Sequence, residues 1–450
     1  MLTTQRHMRF LALIASLAVA LSFVRADSLS MTSARSHHVA AQLANNSILL
    51  VGGIDGASNL ASAEIFYPDS SAFVPLVSQI STAAANPTAT VLSTGKVFIA
   101  GGYANLGNGI VSSITADLFD PTQMQFSRTS DMSAARSGHT ATLLGNDQVF
   151  LFGGTSASDS AKTAEVYDSN IGSFQVIPHS SGGSRQWHTA TLLPNGKVIL
   201  AGGISSSTIE AYDPATQTFA FVGDMNSTRY LHTATLLPNG TVLIAGGYNG
   251  MTALRTLGIY DPRQRTFAQL AAQMIVPRYG HTATLTPDGQ RVVIAGGVNT
   301  NNATNMVEVY EIATSTLSVL APETMHDFRV AHTATVLSAT HILMTGGNTR
   351  FYPPAYPPAL ASAEIIDLGE AAEVHLLRIT SLARSRDTVG TMTMQGYAVP
   401  NYSVRIEGAY SPAGPFGFVG SADTDADGFF TWADILGTKG VPRFTRAVIP

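Results

Sequence analysis

The stretch Arg229–Gly250 reads RYLHTATLLPNGTVLIAGGYNG, and close copies of it recur along the chain. Each copy carries an Arg, a His three residues later, a short strand-like segment, a tight turn and an apolar run that ends in Gly-Gly. The Gly-Gly pairs follow one another at intervals of about 50 residues, a period typical of propellers and repeat arrays. They are Gly52-Gly53, Gly101-Gly102, Gly153-Gly154, Gly202-Gly203, Gly246-Gly247, Gly296-Gly297 and Gly346-Gly347.

Each repeat predicts four short strands. The segment HTATLL alternates between its two faces, Pro238-Asn239-Gly240 is a hairpin signal, and VLIAGG suits a strand covered on both sides. A third strand, such as AEVYD at Ala164–Asp168, precedes a fourth whose apolar anchor lies seven residues after the aromatic position. These pairs are Phe66/Phe73, Phe119/Phe126, Tyr167/Phe174, Tyr212/Phe219, Tyr260/Phe267 and Tyr310/Leu317.

Four-stranded sheets with two apolar faces must stack, and radial stacking covers both faces. The Gly-Gly pair, the acidic-X-Tyr-Asp segment and the downstream aromatic residue resemble kelch repeats, which implies an all-β, seven-bladed β-propeller over residues 27–371. The strand that closes the ring is left open between Val374–Ile379 and the residues just after the N-terminal leader. Residues 372–450 resemble the small fibronectin-type-III-like or Ig-like domains of secreted bacterial proteins, which predicts a β-sandwich.

The N-terminus predicts export. Arg6, His7 and Arg9 precede an apolar run from Phe10 to Val24, and Val24-Arg25-Ala26 fits a cleavage site. We therefore expect a signal peptide over residues 1–26, no stable membrane insertion after cleavage, and a secreted, periplasmic or cell-surface protein. The net charge of −5 argues against a nucleic-acid partner. With no Cys, the chain has no disulfide or thiolate ligand.

An Arg-X-X-His motif opens six of the seven repeats, and the second repeat has Ala84 and Pro87 in its place. An acidic residue recurs in the third strand and is replaced by Gly258 in repeat five. Two interpretations stay open: structural pairing within or between blades, or an axial mouth that attracts anions. The motif pairs are Arg35/His38, Arg136/His139, Arg185/His188, Arg229/His232, Arg278/His281 and Arg329/His332.

The two positions between Arg and His vary from repeat to repeat, as a ligand site requires. Trp187, Tyr230 and Tyr279 occupy them and offer stacking surfaces. Together with Arg185, Arg229 and Arg278 they form the predicted ligand-binding site, for a glycan or protein ligand that is anionic in the second interpretation. The alternative is that these rings plug the channel.

The opening strands also resemble the galactose oxidase family of copper radical oxidases. His188, His232, His281 and His332 fall where that resemblance places a copper ligand. However, the preceding Tyr is absent in each repeat, and without Cys the Tyr–Cys cross-link cannot form. The sequence therefore favours a secreted kelch-propeller binding protein with no cofactor. A mutarotase- or epimerase-like, sugar-modifying enzyme is the alternative.

The segment Phe416–Asp434 predicts a hairpin around Asp423-Thr424-Asp425-Ala426-Asp427-Gly428. Oxygen ligands at alternate positions followed by Gly suit a calcium loop. Asp423, Asp425, Asp427 and Asp434 are the predicted calcium ligands. An ordinary Asp-Gly turn is the alternative.

Overall fold

The computed structural model describes residues 29–368, with gaps at 106–108, 156–163, 180–184, 300–301, 321–324 and 351–357. In residues 369–450 it describes the backbone of six strands. The chain divides into two compact units between Leu368 and Gly369. The predicted signal peptide lies outside the described residues, and the boundary predicted after residue 371 stays a prediction.

The first unit consists of seven antiparallel four-stranded sheets, so the predicted all-β fold with seven blades is confirmed. The first strand of each blade contacts the first strands of its neighbours and therefore lies innermost. From the inside outwards, the strands are Val39–Gln42, Ile48–Val51, Ala63–Tyr67 and Ala72–Pro75 in blade 1; Thr88–Val91, Val97–Ala100, Ala116–Asp120 and Gln125–Arg128 in blade 2; Thr140–Leu143, Gln148–Phe152, Ala164–Asp168 and Ser173–Ile177 in blade 3; Thr189–Leu192, Val198–Ala201, Thr208–Asp213 and Thr218–Asp224 in blade 4; Thr233–Leu236, Val242–Ala245, Thr256–Asp261 and Thr266–Gln273 in blade 5; Thr282–Leu285, Arg291–Ala295, Val307–Glu311 and Thr316–Val319 in blade 6; and Thr333–Val336, His341–Thr345, Ser362–Asp367 and Leu29–Ser30 in blade 7.

The ring is closed by the beginning of the chain. Leu29–Ser30 is the outer strand of blade 7, where Leu29 pairs with Ala363 and Ser30 with Ser362. The backbone N–H of Met31 extends this contact by donating to the carbonyl of Ala361. Of the two candidates for the closing strand, the residues just after the predicted leader are therefore correct.

The predicted aromatic pairs set the register of the two outer strands. All six pairs are direct cross-strand partners in the ladder between the third and fourth strands. In blades 1 to 4, the ring centroids of each pair lie 4.7 to 5.0 Å apart. The second strands, each with four consecutive buried residues, pack between these pairs and the adjacent blade, which produces one apolar layer at each interface between blades.

Gly-Gly forms the joint between blades. In all seven blades, the N–H of the second Gly donates to the carbonyl of the residue at the Arg position of the next blade, at 2.6 to 2.9 Å. The first Gly lies so close to that carbonyl that a side chain does not fit. A Cβ on Gly246, where φ is +59°, would lie 2.6 Å from the Arg278 carbonyl oxygen and 2.7 Å from His281 Cε1.

Two short ribbons and one helical turn complete the described part of the first unit. The ribbons pair Tyr103–Asn105 with Ile110–Ser112, and Val298–Asn299 with Asn302–Ala303. A single 3-10 turn spans Pro68–Ser70. Within the described ranges, no helix is both long and apolar enough to cross a membrane.

The second unit contains two three-stranded sheets, in agreement with the predicted β-sandwich. One sheet has the order Arg378–Arg384, Thr391–Tyr397, Phe429–Ile435, and the other Gly417–Asp423, Ser403–Ala409, Phe444–Val448. Gly417–Asp423 and Phe429–Ile435 belong to different sheets, so the predicted hairpin between them is wrong. The strand Ser403–Ala409 pairs instead with the first of these two and with the last strand of the chain.

The joint predicts a difference between two glycines of one blade. Gly246→Ala places Cβ against the Arg278 carbonyl, whereas Gly240→Ala, at φ +82°, meets no atom within 4 Å. Both substitutions strain a positive φ, so the difference between them isolates the contact between blades. We expect Gly246→Ala to lower the free energy of unfolding by about 1–3 kcal/mol more than Gly240→Ala, measured by urea unfolding. Equal losses of unfolding free energy in the two variants would show that the neighbouring blades adjust to the added Cβ without loss of stability.

Candidate functional site

The six repeated Arg side chains are buried within their own blades. Each Nη1 donates to the carbonyl of the first Gly of the same blade, at 2.7 to 3.2 Å. Five of them also pair with the third-strand acid, and both side chains of the Arg35–Glu64, Arg136–Glu165 and Arg278–Glu308 pairs are fully buried. The other two pairs are Arg185–Glu210 and Arg329–Glu364. Pairing is therefore within blades.

Blades 5 and 2 lack opposite halves of this pair. In blade 5, Gly258 replaces the acid, and the Phe267 ring fills its place, 5.9 Å from Arg229 Cζ. Arg229 is 1% exposed, its Nε has no hydrogen-bond partner among the described residues, and burial lowers its pKa to about 10. In blade 2, Ala84 replaces Arg while Asp117 remains, and burial raises the pKa of Asp117. Both blades keep the joint, because the joint uses backbone atoms.

The arginines and the aromatic residues of the predicted ligand site lie in different surroundings. Arg185, Arg229 and Arg278 are buried and hydrogen-bonded inside their blades, so their guanidinium groups do not form an open, anion-attracting mouth. Ligand contact by the aromatic members of the site stays a prediction.

The aromatic residues Trp187, Tyr230 and Tyr279 do come together, joined by Tyr248; we call these four side chains the axial aromatic cluster. Trp187 stacks on Tyr230 at 5.9 Å, and Tyr248 contacts both Tyr230 at 5.6 Å and Tyr279 at 5.0 Å. Tyr230 and Tyr248 also exchange two backbone hydrogen bonds. Tyr279 is buried, and the other three side chains are half-buried.

The backbone at the positions just before each repeat His surrounds the propeller axis. There, N–H groups donate to the carbonyl of the equivalent residue in the preceding blade: His37 to Ala331, Asn86 to His37, Trp187 to Gly138, Leu231 to Trp187, and Gly280 to Leu231. The Trp187 ring lies over Gly138, where a Cβ would be 2.8 Å from the indole Nε1. The cluster thus lies at the axial end of blades 4 to 6 and covers backbone there.

The six repeat His side chains connect neighbouring blades. Each Nε2 lies 2.9 to 3.2 Å from the Thr Oγ1 that begins the inner strand of the preceding blade. Burial lowers the pKa of His139, His188, His281 and His332 to about 3, and a nearby Arg adds to the effect. These side chains are therefore neutral at physiological pH. Between blades 1 and 2, Val39 and Pro87 replace the Thr and the His.

Sequence reasoning missed two features of this region. Tyr248 directly follows a Gly-Gly pair, a position that the ribbon-like pairing brings beside Tyr230. A buried Met lies four residues before Arg in five blades, and in four of them its Cε approaches the first Gly of the preceding blade. These residues are Met31, Met132, Met225, Met274 and Met325. Their constant spacing from Arg is the signal that identifies them.

A metal centre does not emerge from the described residues. No group of three or more His, Asp or Glu side chains converges within the described ranges. Each repeat His is engaged with a Thr, and its buried Nδ1 has no hydrogen-bond partner within the described ranges; these atoms occur singly, one in each of six blades. The four calcium ligands stay a prediction: Asp425 and Asp427 lie outside the described residues, and Asp423 and Asp434 are described only as backbone in separate sheets.

The exception at blade 5 predicts unequal effects of removing two arginines. Arg278→Met leaves Glu308 buried without its counterion, which costs about 3–5 kcal/mol. Arg229→Met removes a buried charge that has no carboxylate partner in the described part of the chain, so we expect a loss smaller by at least about 1 kcal/mol. Urea unfolding of the two variants tests this. An equal or larger loss for Arg229→Met would mean that its carbonyl contacts outweigh its missing partner.

The buried His side chains predict acid sensitivity. In the unfolded chain, each of these His side chains binds a proton below about pH 6.5, the ordinary pKa of His. In the folded chain, the same side chain stays neutral until about pH 3. Stability should therefore fall with decreasing pH across this window, by up to about 1.4 kcal/mol per pH unit for each such His. His139→Gln should reduce the slope of unfolding free energy against pH. The control Phe221→Leu alters a non-titrating ring that is 64% exposed and should leave it unchanged.

Comparison with known proteins gives a structural relationship only. No family model and no curated protein matches the chain. Among solved structures, the chain is similar to a fungal alcohol oxidase described as showing catalytic diversity among the AA5 family, in complex with copper. The TM-score is 0.62 at 15% sequence identity, over 94% of this chain and 98% of that one.

This comparison corrects two expectations. The binding protein, with a mutarotase- or epimerase-like enzyme as alternative, is wrong, because the matched propeller is an alcohol oxidase. The expectation of no cofactor, or of calcium, is also wrong, because that protein holds copper. At 15% identity the similarity shows the fold alone. The chain is a seven-bladed β-propeller with a structural neighbour in the galactose-oxidase-like AA5 family.

Proposed function

We propose that this protein is an oxidase-like enzyme that oxidises the hydroxyl group of a small alcohol at the axial aromatic cluster. Two observations support the proposal. The similarity to an alcohol oxidase extends over nearly the whole of both chains. The cluster of Trp187, Tyr230, Tyr248 and Tyr279 is also the place where the axial end of the propeller departs from its repeat.

The cluster carries the proposal because it is not required by the fold. The Gly-Gly joints occur in every blade, and the His contacts connect six of the seven neighbouring pairs. Trp or Tyr at the positions of the cluster occurs in blades 4 to 6 and, outside them, once, as Tyr103 of blade 2 at the position of Tyr248. Half-buried aromatic rings offer an apolar surface with polar edges, which suits a small organic substrate. A site at this position also lies beside the axis, where residues from several blades meet.

The redox balance of the proposed reaction is simple. Oxidation of a primary alcohol to an aldehyde releases two electrons and two protons, and reduction of dioxygen to hydrogen peroxide takes up both. Copper supplies this chemistry in enzymes that hold it. The described residues do not fit a cross-linked Tyr–Cys copper centre, since the chain has no Cys and no described His cluster.

The proposal is tested by oxygen uptake. The full chain, as purified and after loading with Cu(II), is given a panel of primary alcohols, and oxygen consumption and peroxide are measured. We expect alcohol-dependent uptake with an equal yield of peroxide. Trp187→Leu combined with Tyr230→Leu should lower kcat/KM by at least about tenfold, a loss of about 1.4 kcal/mol of transition-state stabilisation.

The matched control is Phe221→Leu, which alters a 64% exposed ring on the outer strand of blade 4 and should leave activity unchanged. Absence of uptake by folded protein in both metal states would overturn the proposed activity. Uptake that is unchanged in the double variant would overturn the proposed site.

Three further features belong to the same proposal. The seven units are kelch repeats, the second unit is fibronectin-type-III-like, and the protein is exported after cleavage behind Ala26. The recurring Gly-Gly and aromatic positions support the first, the two three-stranded sheets the second, and the basic and apolar N-terminal segments the third. N-terminal sequencing of exported protein tests the last, and a retained Met1 would contradict it.

A further inference from the structure

In five blades, a guanidinium group is held by a carboxylate and by the carbonyl of the first Gly, an arrangement that we call the guanidinium cradle. In blade 1, the cradle consists of the Glu64 carboxylate, the Gly52 carbonyl, and the carbonyl and hydroxyl oxygens of Ser62. Arg35 donates to the Gly52 carbonyl at 2.8 Å, to the Ser62 carbonyl at 3.1 Å and to Glu64 Oε1 at 3.1 Å. The cradle thus combines a carboxylate with fixed backbone acceptors.

Blade 2 retains the parts of this cradle but lacks the arginine. Asp117, Gly101 and Thr115 stand at the positions of Glu64, Gly52 and Ser62, and Ala84 stands at the position of Arg35. The register is preserved, because Asp117 pairs with Ile99 in the ladder, just as Glu64 pairs with Leu50. The Gly101 N–H donates to the Thr115 carbonyl at 3.0 Å, and the Gly52 N–H donates to the Ser62 carbonyl at 3.1 Å.

The Asp117 carboxylate is only half satisfied. It is 4% exposed, and its Oδ2 accepts hydrogen bonds from the Ser81 N–H at 3.2 Å and from the Ser81 hydroxyl at 2.9 Å. Among the described residues, its Oδ1 has no hydrogen-bond partner. Arg128, opposite Asp117 on the next strand, donates instead to both carboxylate oxygens of Asp131, at 2.6 and 2.8 Å.

In blade 5, the cradle has lost its carboxylate. There the acid itself is lost, and the Phe267 ring occupies its place, so that a Cβ on Gly258 would lie 2.2 Å from Phe267 Cζ. Blade 2 instead keeps a buried carboxylate, a Thr hydroxyl and two carbonyl acceptors, and no described cation is hydrogen-bonded among them. Arg128 attracts the Asp117 carboxylate electrostatically but donates its hydrogen bonds to Asp131. A buried carboxylate is stabilised by a hydrogen-bonded counterion, so the retention of Asp117 points to a cation from elsewhere.

We propose that the cradle of blade 2, formed by Asp117, Gly101 and Thr115, is a binding site for a guanidinium group that no described residue supplies at this position. The group recognised is a planar cation with several N–H donors, which matches a carboxylate and adjacent carbonyl oxygens better than a spherical cation does. A small guanidine compound and an arginine side chain of another polypeptide share this chemistry.

The test compares melting temperatures of the full chain in guanidinium chloride at low millimolar concentration with those in sodium chloride or urea at equal concentration. At saturation we expect a rise of about 2 °C with guanidinium alone. Asp117→Asn should abolish the rise. Ala84→Arg, which supplies the missing group within the chain, should raise the melting temperature by itself and remove the response to guanidinium.

Arg278→Ala is the positive control, because it opens an equivalent cradle at Glu308. Titration calorimetry with agmatine and with a short Arg-containing peptide distinguishes the two sources: heat from agmatine alone identifies a small guanidine, and heat from both identifies a site open to a polypeptide. A wild-type protein that ignores guanidinium while Arg278→Ala responds would overturn the proposal. So would an undiminished response in Asp117→Asn, which also decides the matter if Ala84→Arg fails to fold.

Discussion

The hydrogen bond from the second Gly of each blade to a backbone carbonyl of the next is the contact on which the rest of the propeller depends. It is present seven times and is independent of side chains, which explains why it survives in blade 2, where Ala84 replaces Arg. The close approach that it requires excludes any side chain on the first Gly. In the six blades that have it, the buried Arg donates a hydrogen bond to the carbonyl of this first Gly. Each of these Gly-Gly pairs is therefore hydrogen-bonded both to the next blade and to an Arg of its own blade.

Burying six guanidinium groups is costly unless each has a counterion and further acceptors. Blades 1, 3, 4, 6 and 7 provide both, and their arginines consequently serve stability rather than recognition. Blades 5 and 2 show that the Arg and the carboxylate need not occur together. Blade 5 replaces the carboxylate with an aromatic ring that faces Arg229, and blade 2 keeps the carboxylate alone. Across the seven blades, the backbone geometry of the joint is thus more constant than the Arg–carboxylate ion pair.

The fold was predictable from sequence because its determinants are periodic. The spacing of the aromatic pairs, such as Tyr212 and Phe219, gave the register of the outer strands. The closing strand was not predictable, because Leu29–Ser30 is too short to carry a pattern. The burial of Arg229 and Arg278 was not predictable either, since repetition does not reveal which way a side chain points. Three members of the axial aromatic cluster, Trp187, Tyr230 and Tyr279, could be identified from the sequence. Tyr248 could not, because its place in the cluster depends on its pairing with Tyr230.

The composite blade 7 has a consequence for the order of assembly. Its three inner strands come from residues 333–367, and its outer strand from Leu29–Ser30, so the outer strand is synthesised before blades 1 to 6 but can pair only after the rest of blade 7 is made. Blades 1 to 6 are each contiguous in sequence and are completed as they emerge, but the ring remains open until its two ends meet. The number of blades is therefore fixed by closure: a chain with one repeat fewer or more must bring Leu29 to Ala363 around a different circumference.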